Sequence, residues 1–198
     1  QKIIYASSAA VYGNPEYLGI DEAHPIKPIS FYGISKYVSE QYIRVYSELY
    51  GLKYTILRYA NVYGRRQLSD GEGGVISIFL DKMSRGEAPI IYGTGLQTRD
   101  FIYVADVVAV NCLALYKGDN HVLNIGTGRE VNINELVDLF NQKMNTKIRP
   151  QRAPERKGDI LRSYFQNQKA KKILGWTPKY SIEEGLQEMI HSMDSSNK

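Results

Sequence analysis

The alternation of short β-rich runs with amphipathic helical patterns limits most strongly what this chain can fold into. Residues 2–6, 53–59, 90–92, 98–104 and 122–125 are rich in Ile, Val, Tyr and Thr and read as strands. Residues 32–49, 75–85, 106–117, 132–144 and 167–174, and a last segment from 181, carry helical periodicity. Strands that alternate with helices predict an α/β domain with a mostly parallel sheet. Local punctuation fits this reading. Gly51 suits a helix C′ position. Asn132 with Glu135, and Ser181 with Glu184, have capping-box spacing. Asp106 is expected to cap the third helix. Residues 14–29, with Pro15, Pro25 and Pro28, form a loop long enough to carry function, and residues 65–74 form a polar, glycine-rich one.

The chain has 198 residues, room for one domain with a real core and a small appended lobe. No apolar run approaches the roughly 20 residues that span a bilayer. The opening Gln1-Lys2-Ile3-Ile4-Tyr5 runs straight into a strand with no signal-peptide layout, so a longer parent chain is expected. The single cysteine, Cys112, cannot form an intrachain disulfide, which suits a reducing compartment such as the cytoplasm. His24, His121 and His191 lie far apart without partners at ligand spacing, so no metal is expected. The net charge of +4 is uneven. Residues 147–172 hold nine Lys or Arg against Glu155 and Asp159, a local +7 that leaves −3 elsewhere. Such a stretch suits phosphate, nucleic acid or water. Tyr164, Phe165 and Trp176 do not interleave with its charges as stacking platforms would, so nucleic acid ranks last.

The chemistry concentrates around Ser30-Phe31-Tyr32-Gly33-Ile34-Ser35-Lys36. On a helix starting near Ser30, Tyr32 and Lys36 share a face one turn apart. A cation held close to a phenol favours the phenolate, and such a pair can accept and return a proton. Alone the pattern is short and built of common residues. Its setting is more informative, because ligands of open parallel sheets sit outside the carboxyl ends of the strands. Ser7-Ser8 follow one such end and Asn61 another, so Ser8, Tyr32 and Lys36 could face one crevice.

Ser7-Ser8-Ala9-Ala10-Val11-Tyr12-Gly13, Tyr32-x-x-x-Lys36 and Leu57-Arg58-Tyr59-Ala60-Asn61-Val62-Tyr63-Gly64 resemble the extended short-chain dehydrogenase/reductases. More narrowly, they are similar to the NAD-dependent epimerase/dehydratase enzymes of nucleotide sugars. Arg99-Asp100-Phe101-Ile102-Tyr103-Val104-Ala105-Asp106 and Asn124-Ile125-Gly126 match in the same order. The resemblance implies the C-terminal part of a Rossmann-like, doubly wound parallel sheet plus a small α/β substrate-binding lobe. Residues 1–64, interleaved with 98–126, would belong to the dinucleotide domain; residues 65–97 and 127–198 would form the lobe.

By the same resemblance, Ser8, Tyr32 and Lys36 are the catalytic set. Tyr32, Lys36 and the run Tyr59, Ala60, Asn61 and Val62 line NAD, with Lys36 on the nicotinamide ribose. Ser8, Asn61, Val75, Tyr92, Arg99, Arg156, Asp159 and Ser163 meet a UDP-sugar. Arg99 and Arg156 take the diphosphate, which guanidinium suits. Asp159 takes the ribose, and a small Ser163 leaves room for an N-acetylated sugar. The implied reaction inverts a 4-hydroxyl through a 4-keto sugar. The related sugar 4,6-dehydratases place Asp-Glu where this chain has Ala9 and Ala10, so epimerase is favoured over dehydratase or reductase. The tract Gly71-Glu72-Gly73-Gly74-Val75 is similar to bacterial and archaeal 4-epimerases. No G-x-x-G-x-x-G dinucleotide turn occurs in the sequence, so these residues alone are expected to be inactive. A homodimer through the helix that begins near Tyr32 is implied, with no nucleic acid or membrane partner.

Overall fold

A computed structural model describes residues 1–70, 73–156 and 158–196, and side chains to residue 193. In chain order, β1 (Lys2–Ser8) runs into a 3-10 turn (Ala9–Val11), then come α1 (Phe31–Tyr50), β2 (Lys53–Tyr59) and β3 (Asn61–Tyr63). Next are α2 (Val75–Ser84), β4 (Ile90–Tyr92), β5 (Thr98–Arg99), β6 (Phe101–Tyr103) and α3 (Val104–Ala114). The rest is β7 (His121–Ile125), β8 (Val131–Asn132), α4 (Ile133–Met144), β9 (Gln151–Ala153), α5 (Gln168–Leu174) and α6 (Ile182–Ser196).

Strands β1, β2 and β7 form a parallel sheet in the order β1-β2-β7. Side chains alternate across it, and helices cover both faces, as a doubly wound sheet requires. On one face Ile3, Tyr5, Ile56 and Val122 pack under Ile43 of α1. On the other, Leu57, Leu123 and Ile125 pack against Val107 and Val110 of α3 and Leu174 of α5. A second apolar cluster joins α2, α4 and α6 through Phe79, Leu136, Phe140 and Leu186. Around it lie the two-stranded pairs β3-β6, β4-β9 and β5-β8, the last antiparallel. The segment through α5 and Trp176 packs with the sheet, not with this second cluster.

Several local expectations hold. Gly51 closes α1 with φ +67°, and Asn132 accepts from the Glu135 N–H. Ser181 and Glu184 exchange capping bonds, Glu184 N–H to Ser181 Oγ and Ser181 N–H to Glu184 Oε2. Three expectations are corrected. The strand expected over 98–104 is split at Asp100 into β5 and β6. The third helix begins at Val104 and ends at Ala114, so Asp106 lies inside its first turn. Asp106 caps nothing of its own; its buried carboxylate accepts from Lys179 N–H (2.9 Å) and Tyr180 N–H (3.1 Å). Strand β9 was hidden within the basic stretch.

Residues 14–29 are stitched down. Ile20 pairs with Phe165 in a parallel bridge, and Glu22 Oε1 accepts from Asn124 N–H at 2.7 Å. The loop that leads into α1 therefore also touches the segment leaving the basic stretch.

Candidate active site

Ser8 ends β1, and its register partner Tyr59 ends β2. Helix α1 starts beside them. Ser30 caps it by accepting from Gly33 N–H at 3.0 Å. A Cβ on Gly33 would lie 2.4 Å from the Ala10 carbonyl oxygen, so the helix start sits directly on the turn that follows Ser8. Lys36 Nζ donates to the Ala6 carbonyl at 2.9 Å, tying the same helix turn to the last residues of β1. The ammonium lies 5.6 Å from the Tyr32 ring centre and 5.4 Å from that of Tyr5. Ser8 Oγ accepts from Ala10 N–H. The Tyr32 side chain is 55% exposed, and its hydroxyl makes no hydrogen bond among the described residues. The start of α1, with Tyr32 and Lys36, thus meets the carboxyl end of β1, with Ser8, through the Gly33–Ala10 and Lys36–Ala6 contacts.

The run from Tyr59 to Val62 carries the chain out of this corner. The Tyr59 ring faces α3, where its hydroxyl and the Asn111 amide are hydrogen-bonded; burial pushes its phenol up. Ala60 and Val62 pack into the apolar cluster on that side. All three are half-buried. Asn61 is exposed, with its N–H bound to the Asp100 carbonyl at 2.9 Å.

Asn61 also lines a cleft with Val75, Tyr92, Arg99, Arg156 and Asp159. This cleft holds about 210 Å³, and an adjoining one of about 650 Å³ shares Tyr92, Arg156 and Asp159 with it, the larger being of a size typical of small-molecule sites. The Arg156 guanidinium lies 3.9 Å from the Tyr92 ring centre, a cation–π stack. Arg99 bonds the Asp159 carboxylate and donates to the Ile160 carbonyl at 2.5 Å. Helix α2 begins at Val75 with no side-chain cap among the described residues, so its first amides stand at the cleft wall beside Val75. Ser163 is half-buried and does not line this cleft, and Ser8 lies at the sheet corner instead. Gly71, Glu72 and Lys157 lie outside the described residues.

Sequence reasoning passed over two buried elements. Asp100 accepts from Thr127 N–H and Oγ1, Gly128 N–H and Phe165 N–H. Burial pushes its carboxyl up, against these four donors. The other is a set of buried polar side chains beneath Ser8: Ser7, Glu40, Arg58, Tyr12 and Asn124. Arg58, directly after Ile56-Leu57 in a strand, and Glu40, four residues beyond Lys36, are the visible signals.

A family model described as GDP-mannose 4,6 dehydratase matches residues 1–189. A Methanocaldococcus jannaschii protein provisionally named UDP-glucose 4-epimerase is 48% identical over 198 residues, 100% of this chain. The Thermotoga maritima UDP-glucose 4-epimerase, solved with UDP-glucose, superposes with a TM-score of 0.96 at 45% identity over 100% of this chain. This chain spans 64% of the length of each. The Thermus thermophilus UDP-glucose 4-epimerase, solved with NAD, gives 0.90 at 34% identity, covering 99% of this chain and 65% of that one. An Escherichia coli dTDP-4-dehydro-6-deoxyglucose reductase is 33% identical, over 98% of this chain and 61% of its own length. A Danio rerio UDP-glucuronic acid decarboxylase is 32% identical, over 96% of this chain and 46% of its own. With the doubly wound sheet and the Tyr32–Lys36 corner in place, the matched residues 1–189 make this chain a member of the GDP-mannose 4,6 dehydratase family, within the NAD-dependent epimerase/dehydratases of the extended short-chain dehydrogenase/reductase class.

Proposed function

We propose that this chain, within a protein of its relatives' length, inverts the 4-hydroxyl of a UDP-hexose of the glucose/galactose type with the help of NAD. The observation that supports the reading is the corner itself: Lys36 is bonded to Ala6 and Gly33 is seated on Ala10, so the turn of α1 that carries Tyr32 meets the end of β1 that carries Ser8. The donor set fits a hydroxyl-rich ligand, since the Tyr32 and Ser8 hydroxyls and the Lys36 ammonium all have donors to spare. Bound NAD would supply the reversible oxidation of the sugar carbon. Tyr32 takes the proton from the 4-hydroxyl and returns it, and Ser8 orients that hydroxyl. Lys36 and the backbone of residues 59–62 would hold the cofactor, Lys36 at its nicotinamide ribose.

At the other end, Arg99, Arg156 and the open amides of α2 give the cleft the positive character a diphosphate needs. Asp159 moves from Arg99 to the ribose. The family model's name points to dehydration, but Ala9 and Ala10 put no carboxyl beside Ser8, and elimination of water needs an acid and a base there. The test is incubation of the parent protein and NAD with UDP-galactose, UDP-N-acetylgalactosamine and UDP-glucuronate. Interconversion of the 4-epimers is the expected product pattern; a 4-keto-6-deoxy sugar, a reduced sugar or a released carboxyl would replace it with the dehydratase, reductase or decarboxylase reading. The 198 residues alone, without a dinucleotide turn, are expected to give no turnover.

The reading extends to a homodimer. Phe31, Ile34, Val38, Tyr42, Val45 and Leu49 of α1 are between 44% and 93% exposed. Their spacing of three and four residues makes one apolar seam along 20 residues of helix. Charged side chains at Val38 and Tyr42 are expected to convert a dimer to monomers in sedimentation; a dimer that survives both changes places the contact elsewhere.

A further inference from the structure

The α1 face of the sheet changes character one layer below Ser8. Tyr5, Ile56 and Val122 form an apolar row under Ile43. The next row, Ser7–Arg58–Asn124 in strand register, is polar throughout, and each member is at most 3% exposed. Glu40 of α1, fully buried, lies over it. Ser7 Oγ donates to Glu40 Oε1 at 2.5 Å. Arg58 donates through Nε to Oε1 at 2.9 Å and through Nη2 to Oε2 at 2.6 Å, a bidentate pair. Arg58 Nη1 donates to the Tyr12 hydroxyl, which donates to Asn124 Oδ1 at 2.7 Å. Asn124 in turn holds the Ile20 carbonyl at 3.0 Å.

Such a layer is an expensive way to fill a core. Two charges leave water, and a well-packed apolar pair of like volume is commonly at least as stable. What apolar packing does not supply is direction, because it tolerates a small slide or roll of a helix on its sheet. The bidentate pair and the Ser7 bond fix both. Glu40 lies one turn beyond Lys36 and two beyond Tyr32 on the same face of α1. Ser7 immediately precedes Ser8. We infer that Glu40 is a positioning residue: with Arg58 and Ser7 it sets the height and roll of α1 on β1, so that Tyr32 and Lys36 meet Ser8 in working geometry. The inference rests on the catalytic corner proposed above and assigns these residues no contact with substrate.

The test uses the parent protein with NAD and a pair of replacements, Glu40→Leu with Arg58→Met, which remove both charges together. Thermal stability is expected to stay near that of the unaltered protein. Turnover should fall about 100-fold, the scale of a misplacement near 1 Å, with little change in KM because the diphosphate cleft is remote from this layer. A folded double variant that keeps turnover within about threefold would overturn the inference. If the double variant does not fold, Ser7→Ala decides, since it deletes one bond and leaves the buried Glu40–Arg58 pair matched. A loss of about fivefold in kcat at constant KM is expected, and an unchanged kcat counts against the role. A crystal structure separates the two proposals. Should the unaltered protein epimerise nothing, a Lys36–Ala6 bond kept intact in the variant still refutes the positioning role, and a broken one supports it.

Discussion

Replacing Tyr32 by Phe in the parent protein is expected to lower kcat for 4-epimerisation by about 10²–10⁴-fold, the range a positioned general acid–base group supplies. The change is clean in this setting. The ring is kept, and the deleted hydroxyl has no hydrogen bond among the described residues, so no partner is orphaned. Gly33 still rests on Ala10 and Lys36 still reaches the Ala6 carbonyl. Stability should therefore move by less than about 0.5 kcal/mol, as for a surface change away from packing features. KM should move little, because the cleft at Tyr92, Arg99 and Arg156 is built from other elements. The split between kcat and KM is the measurement. A Tyr32→Phe protein retaining more than about a tenth of the turnover would remove the proton-transfer role, whose minimum effect is some 100-fold.

The features legible in the sequence were local ones. Strand β2 is bounded by Gly51 before it and Ala60 after it, so its β-forming run stands out, and its bounds match the reading made from residues alone. The caps at Asn132 and Ser181 are settled within three residues of themselves. The features missed depend on remote partners. Asp106 has the right type and place for a cap, yet its carboxylate is claimed by amides at 179 and 180, more than seventy residues on. Strands β3 and β9 are three residues long, too short for periodicity, and exist because Phe101–Tyr103 and Ile90–Tyr92 pair with them.

The same division runs through the site. Tyr32-x-x-x-Lys36 is visible because its two ends lie one turn apart. Asn61 is visible as a residue just past a strand end, whereas Tyr92 and Arg156 are reached only through family resemblance, since they share no local pattern. Glu40 and Arg58 look, singly, like ordinary solvated charges. The strand register puts Arg58 between Ser7 and Asn124, and the packing of α1 on that row brings Glu40 to it.

Asp100 carries the largest expected effect on folding. Its Oδ1 serves Thr127 N–H (2.8 Å) and Oγ1 (2.6 Å); its Oδ2 serves Gly128 N–H (3.1 Å) and Phe165 N–H (3.2 Å). A Cβ at Gly126 would lie 2.4 Å from Oδ2, so the turn is folded tightly around the carboxylate. All four neighbours present hydrogens, and only an ionised carboxylate accepts from every one. Asp100→Asn keeps the shape and turns one oxygen into an NH₂ group. With its NH₂ on the Oδ2 side the amide would face two N–H groups; on the Oδ1 side it faces only the Thr127 N–H, because the Thr127 hydroxyl can turn to accept, so the second orientation is favoured. One buried amide left without an acceptor at about 1–3 kcal/mol predicts a loss of that size in denaturant unfolding. The damage should also spread to the cleft, because Asn61 N–H is bound to the Asp100 carbonyl and Phe165 anchors the chain that follows Asp159. Weaker binding of a UDP-sugar should therefore accompany the loss of stability. A variant within about 1 kcal/mol of the unaltered protein would mean that the turn at 126–128 holds its shape without the carboxylate, against the cost expected for unpaired buried amides.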